Sequence, residues 1–171
     1  MCQVVDAVAR FQLQPERAAV EDLEQALLRL ERRGIHLYLS FGYGHLAEAW
    51  LSLDEAARAR DWAERARRCV DRGDPLGHGP AERVMATLNA RAGDRELAEA
   101  HLNEALLVAA RRESPRERAL TELNAAQLYR AWNERERAAE LCQRARHSFE
   151  DLRVPHFVAL SNQILAELSA K

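Results

Sequence analysis

Five residues recur along this chain at a fixed distance, and that recurrence limits the fold more than any other feature. In the stretch from Met85 to Ala105 they are Ala86, Asn89, Ala98, Leu102 and Ala105. Thirty-nine residues earlier the same ruler falls on Ala47, Trp50, Ala59, Ala63 and Ala66, and forty residues later on Ala126, Tyr129, Ala138, Cys142 and Ala145. One further step back reaches Ala7, Arg10, Ala19, Leu23 and Ala26, and one step forward puts Ala166 at the first small position. Self-similarity of this period predicts stacked supersecondary units, each burying its apolar face against its neighbours.

The unit is a helical hairpin. Before Gly93-Asp94, Met85, Ala86 and Leu88 form an apolar stripe; after it, Ala98, Leu102 and Ala105 follow the i, i+4, i+7 spacing of one helix face. Gly93 suits the left-handed residue that ends a helix, and Asp94 can accept from the amides that open the next. Ala86 and Ala98 let two backbones approach closely, where a longer side chain would overpack by roughly 1–3 kcal/mol. Pro75, Pro115 and Pro155 stand forty apart, each just before an expected first helix.

Along the chain this predicts helices over Cys2–Phe11, Pro15–Arg32, Ile35–Leu51, Glu55–Asp71 (capped by Asp54), Ala81–Ala92, Arg95–Arg112, Pro115–Ala131, Glu134–Leu152 and His156–Ala170. Gly34 is expected to end the second helix, Gly73 to Pro80 to form a loop, and Ser114-Pro115-Arg116-Glu117 to act as a capping box. The expectation is one all-α domain over residues 1–171, a right-handed solenoid of antiparallel helix pairs, with repeats near 1–34, 35–74, 75–113 and 114–153. A terminal helix occupies 154–171. That unpaired helix, with Leu160, Ile164, Leu165 and Leu168 on more than one face, reads as a cap, a cut from a longer array, or an end that pairs with a second copy.

Composition agrees and excludes partners. Val, Ile and Thr number 13, too few for a sheet. Net charge is −2, which offers no field for a phosphate backbone and no cationic face for a membrane. Nucleic acid and membrane are therefore not expected. Cys2, Cys69 and Cys142 are odd in number and widely spaced, as in a reducing cytoplasm. No run is long enough to span a bilayer, and the N-terminus lacks a secretory pattern.

Candidate chemistry dissolves on inspection. Gly42-Tyr43-Gly44-His45-Leu46-Ala47 matches a dinucleotide fingerprint, but that motif needs a parallel sheet, and Ala47 is already a packing position. Helix packing accounts for it, with Gly42 and Gly44 allowing close approach or a widened groove. The histidines, His36, His45, His78, His101, His147 and His156, show no metal-ligand spacing; His45 and Glu48 share a face but do not close a site. No nucleophile elbow or catalytic carboxylate pair stands out, so no catalytic residue, metal or cofactor is expected. Glu96, Glu99 and Glu134 read as solvated faces.

With these residues in view, the chain resembles the tetratricopeptide repeat family. That motif has small residues at its eighth, twentieth and twenty-seventh positions, a large one at the eleventh and a hinge near the fifteenth. The hinges here are Gln14-Pro15, Asp54, Gly93-Asp94 and Asn133. The period exceeds the family's usual repeat of about 34, and Glu82 and Glu122 take the fourth position, usually large and apolar and here Tyr43 in one repeat. Long repeats of this kind are similar to the sensing arms of large bacterial ATPase regulators, and the run YRAWNERERAAELCQRA is the part most like them.

The resemblance implies a binding function on the concave surface, lined by the first helix of each repeat. Carried over, the groove is Val4, Val8 and Phe11; Phe41, Gly44, Glu48 and Leu51; Arg83, Thr87 and Ala90; Leu123, Gln127 and Arg130; and Gln163 and Glu167. The partner expected there is a protein or peptide segment, apolar at one end and acidic near Arg83 and Arg130. The alternative is self-association through the terminal helix, giving a homo-oligomer.

Overall fold

The computed structural model describes residues 16–35 and 39–170. Among them lie eight helices and no strand: α1 (Arg17–Arg32), α2 (Leu39–Ser52), α3 (Ala56–Val70), α4 (His78–Arg91), α5 (Arg95–Arg111), α6 (Pro115–Ala131), α7 (Arg135–Asp151) and α8 (Pro155–Ser169). The expected first helix, with Cys2, Val4, Val8, Phe11 and the Gln14-Pro15 hinge, falls outside the described residues, as do His36 and Tyr38. The chain is all-α over the described residues. It divides into two compact units, residues 1–88 and 89–171. In the first, α1 packs on α2 and α2 on α3; in the second, α5 packs on α6, α6 on α7 and α7 on α8, with α6 also touching α8.

One turn design separates all the helices. Gly34, Asp54, Gly73, Gly93, Glu113, Asn133 and Arg153 all have positive φ, and they follow one another every 19 or 20 residues. At each, that residue's N–H bonds three residues back, and the next residue's N–H bonds five residues back. Gly93 N reaches Ala90 O at 3.1 Å and Asp94 N reaches Asn89 O at 3.0 Å; Glu113 N reaches Ala110 O at 3.0 Å and Ser114 N reaches Ala109 O at 3.0 Å. This is the Schellman ending, which satisfies the carbonyls that a terminating helix orphans. The 40-residue period is therefore two half-units of one helix and one turn.

Two corrections follow. Asp54 does not cap the helix after it; it supplies the left-handed residue (φ 61°) ending α2, and Glu55 takes the cap position. The loop expected over Gly73 to Pro80 is shorter, because α4 starts at His78. Pro80 fits its first turn, where a missing N–H breaks no bond. Pro115 and Pro155 do open α6 and α8, whereas Pro75 lies in the turn. Asp94 accepts from Leu97 N at 3.0 Å, and Ser114 accepts from Glu117 N at 3.3 Å.

Glu113 and Arg153 have a Cβ where the left-handed conformation disfavours one, at about 1–2 kcal/mol. Each replacement, Glu113→Gly and Arg153→Gly, is expected to raise stability by about 0.5 kcal/mol once glycine's freedom in the unfolded chain is subtracted. Gly93→Ala (φ 83°) is expected to lower it by about 1 kcal/mol. Urea unfolding of the three single variants checks both signs.

The ruler residues form the seams. Ala47, Ala59, Ala63, Ala66, Ala86, Ala98, Ala126, Ala138, Cys142 and Ala145 have no exposed surface, while Trp50 and Phe149 are the largest fully buried side chains. Ala166 is the exception and is exposed. A second layer repeats with the seams. Arg17 pairs with Glu55, and Arg58 lies 4.3 Å over the Trp50 ring. In the second unit Arg95 pairs with Glu134, and Arg137 lies 3.9 Å over Tyr129. Arginine stacked on Trp50 and on Tyr129, the large residues of two first helices, shields them while keeping its own charge in water.

Candidate functional site: two polar clusters and a repeated cleft

Four of the expected groove residues come together in the first unit through one they do not include. Phe41 meets the His45 ring edge-on at 4.5 Å. His45 Nδ1 lies 3.0 Å from Glu48 Oε2, and Arg83 donates to Glu48 Oε1 from Nε at 2.9 Å with its Nη2 at 2.7 Å. Thr87 Oγ1 donates to the Arg83 carbonyl at 3.0 Å. Helical spacing arranges this: Phe41, His45 and Glu48 step along one face of α2, and Arg83 and Thr87 along one face of α4. Burial by itself would raise the Glu48 carboxyl, but Arg83 and His45 outweigh it and bring the pKa from 4.5 down to about 2. Glu48 therefore stays ionised across the physiological range and serves as a fixed anchor for Arg83.

Gly44 faces elsewhere. A Cβ there would lie 2.6 Å from the Gly77 carbonyl oxygen, so its lack of a side chain admits the turn before α4. Gly42 instead makes room for the Leu27 side chain. The dinucleotide-like glycines are thus close-packing points, one against backbone and one against a side chain. A latch holds the turn: Asp74 accepts from Ser40 N at 3.0 Å and Ser40 Oγ at 2.5 Å, and Ser40 Oγ accepts from Gly77 N at 3.0 Å. Gln127 and Arg130 lie on α6 in the second unit. Arg130 pairs with Glu167 of α8, which also accepts from Gln163 at 3.2 Å. Both groove arginines thus already have a carboxylate from their own chain.

Each unit also carries a cleft outside these residues. In the first, Glu31, Leu39, Tyr43, Arg65, Arg68 and Cys69 line about 600 Å³, together with Asp61, Arg72 and Asp74. In the second, Ala110, Arg118, Glu122, Arg144, His147 and Ser148 are among the residues around about 920 Å³. Six positions recur in both linings, 79 residues apart, as 31 to 110, 39 to 118, 43 to 122, 65 to 144, 68 to 147 and 69 to 148. At the bottom of each is the fourth repeat position. Buried Glu122 lies 3.4 Å from Arg118 Nε and 3.4 Å from Arg144 Nε. Buried Tyr43 donates to Glu31, and burial followed by that bond pushes its phenol well up. The polar residue at the fourth position was the sequence signal for this cleft; the arginine facing it, 22 residues later, had no signal of its own.

Another carboxylate, that of buried Glu82, lies 2.7 Å from Arg67 Nε and 3.1 Å from His78 Nε2. Glu48, Glu82 and Glu122 are each held by arginine, which suits structural anchoring rather than proton transfer. No group of three His, Cys, Asp or Glu able to hold a metal ion is found among the described residues. No helix among them is long and apolar enough to cross a membrane. Fold and clusters together define an all-α protein of consecutively packed helical hairpins. Comparison with family models, curated proteins and solved structures finds no match.

Proposed function

We propose that this chain is a protein-interaction module of the tetratricopeptide kind, a scaffold or sensing arm of a cytoplasmic bacterial regulator that binds a peptide or protein partner without catalysing a reaction. The observation that carries this reading is the Phe41–His45–Glu48–Arg83–Thr87 cluster. Its charges are neutralised internally, and its side chains are locked by one another before any partner arrives. Preorganisation of this kind lowers the ordering cost of binding. Because Arg83 is buried and already engaged with Glu48, it fixes the shape of the cluster from beneath and is not a free cation for a partner. An acidic partner residue instead exchanges with Glu167 at the exposed Arg130.

Panning a random peptide library against the full chain tests the reading. The expected outcome is a family of peptides binding in the micromolar range, weakened at least ten-fold by Thr87→Arg or Gln127→Arg, both half-buried positions. Failure to enrich any peptide, or peptides indifferent to both substitutions, would overturn it.

A second reading, self-association through α8, draws support from Ala166. Its repeat equivalents Ala47, Ala86 and Ala126 are fully buried, yet Ala166 is exposed. Light scattering across a wide concentration range separates the readings: a dimer abolished by Ala166→Glu favours assembly, and a monomer throughout eliminates it.

A further inference from the structure

We propose that the cleft of the first unit binds a small amphiphile, an apolar body carrying one anionic head. The volume of about 600 Å³ lies within the range that holds small ligands. Its walls supply the apolar part: Leu39, the Tyr43 ring packed on Trp62 at 5.3 Å, and the Cys69 thiol.

The charges decide the sign of the head. Three carboxylates line the cleft, and all three have donors within the unit. Asp74 is held by Ser40 and by Leu76 N at 3.4 Å. Glu31 accepts from Tyr43 and lies 3.9 Å from Arg65, and Asp61 lies 3.4 Å from Arg65 Nε. The arginines are not matched in the same way. Arg65 is shared by two carboxylates, whereas among the described residues Arg68 has Glu64 alone, at 3.9 Å and outside the cleft lining. Arg72 has no ion pair among the described residues. Arg68 at the end of α3 and Arg72 in the turn after it both line the cleft beside Leu39, Tyr43 and Cys69. A carboxylate, sulfonate or phosphate seated between them gains charge-assisted hydrogen bonds that no residue of the lining supplies.

Cys69 makes the occupant visible, because it is half-buried in the cleft wall while Cys142 is fully buried. The experiment uses the full chain with Cys2→Ser, so that Cys69 is the accessible thiol, and 8-anilinonaphthalene-1-sulfonate as the probe. The expected result is one dye per chain, at least five-fold protection of Cys69 from monobromobimane, and at least ten-fold weaker dye binding in Arg68→Ala/Arg72→Ala. Both arginines are exposed, so that variant keeps its fold, which circular dichroism verifies. The uncharged analogue N-phenyl-1-naphthylamine is expected to bind at least ten-fold more weakly than the sulfonate. Displacement by decanoate or by decyl phosphate, but not by decanol, supports the site and names its head group. Unprotected Cys69, a double variant that binds like the parent, equal binding of the uncharged dye, or displacement by decanol or by none of the three would each overturn the proposal.

Discussion

Ala126→Glu is expected to unfold the second unit. Ala126 has no exposed surface, in the middle of α6 and among the seam residues Ala138, Cys142 and Ala145 of α7. A glutamate there must either carry its charge into an apolar seam or push the helices apart, and an unpaired buried charge costs several kcal/mol at least. Against a typical total stability of about 5–15 kcal/mol, that is enough to abolish cooperative packing. Ala100→Glu, at an exposed position in α5, is the control and is expected to stay within about 0.5 kcal/mol of the parent. Thermal melts followed by circular dichroism decide the matter. A cooperative transition at the parental temperature for Ala126→Glu would mean that the alanine ruler does not mark the seams.

Arg83→Met is expected to lower stability at pH 7 by about 2 kcal/mol, because it leaves the Glu48 carboxylate with only His45 to offset its partial burial. The effect has a pH signature. In the folded chain Glu48 titrates at about 2, below its ordinary 4.5, so the folded state binds that proton less readily than the unfolded state does. The stabilisation is complete above pH 4.5 and is lost as pH falls towards 2. The parent and Arg83→Met should therefore differ most at neutral pH and converge near pH 2 to 2.5. Urea unfolding at pH 7, 4 and 2.5 measures the gap. A gap that stays constant with pH would show that Arg83 acts by packing alone.

The legible part of the fold lay in periodicity. Small residues at 39- and 40-residue intervals marked the buried seams, because a position that must let two helices approach tolerates little but alanine, whatever the partner. Most helix boundaries came within a residue or two for the same reason. The turns were legible only where chemistry advertised them. Gly34, Gly93 and Asn133 suit the left-handed conformation, whereas Glu113 and Arg153 adopt it without any compositional sign. There the hydrogen bonding of two packed helices overrides a local cost of about 1–2 kcal/mol.

The sites were less legible than the fold. His45 and Glu48 were visible as a pair at i, i+3, but Arg83 joins them from 35 residues away, and neither residue advertises the other. Gly44 looked like part of a groove because its helix position implied one; only packing against Gly77 assigns it to the interior. The clefts are plainer still. A polar fourth position was visible in the sequence, yet the arginines at 65 and 144 belong to a different helix, and arginine is too common here to single them out.

By itself, then, the sequence determined the helical class, the repeat length and the residues that seal each seam, because these follow from local period and side-chain size. Tertiary structure decided which charges neutralise one another, which glycines touch backbone, and where the clefts open. Those depend on distances between residues far apart in the chain, and such distances exist only once the seams have closed.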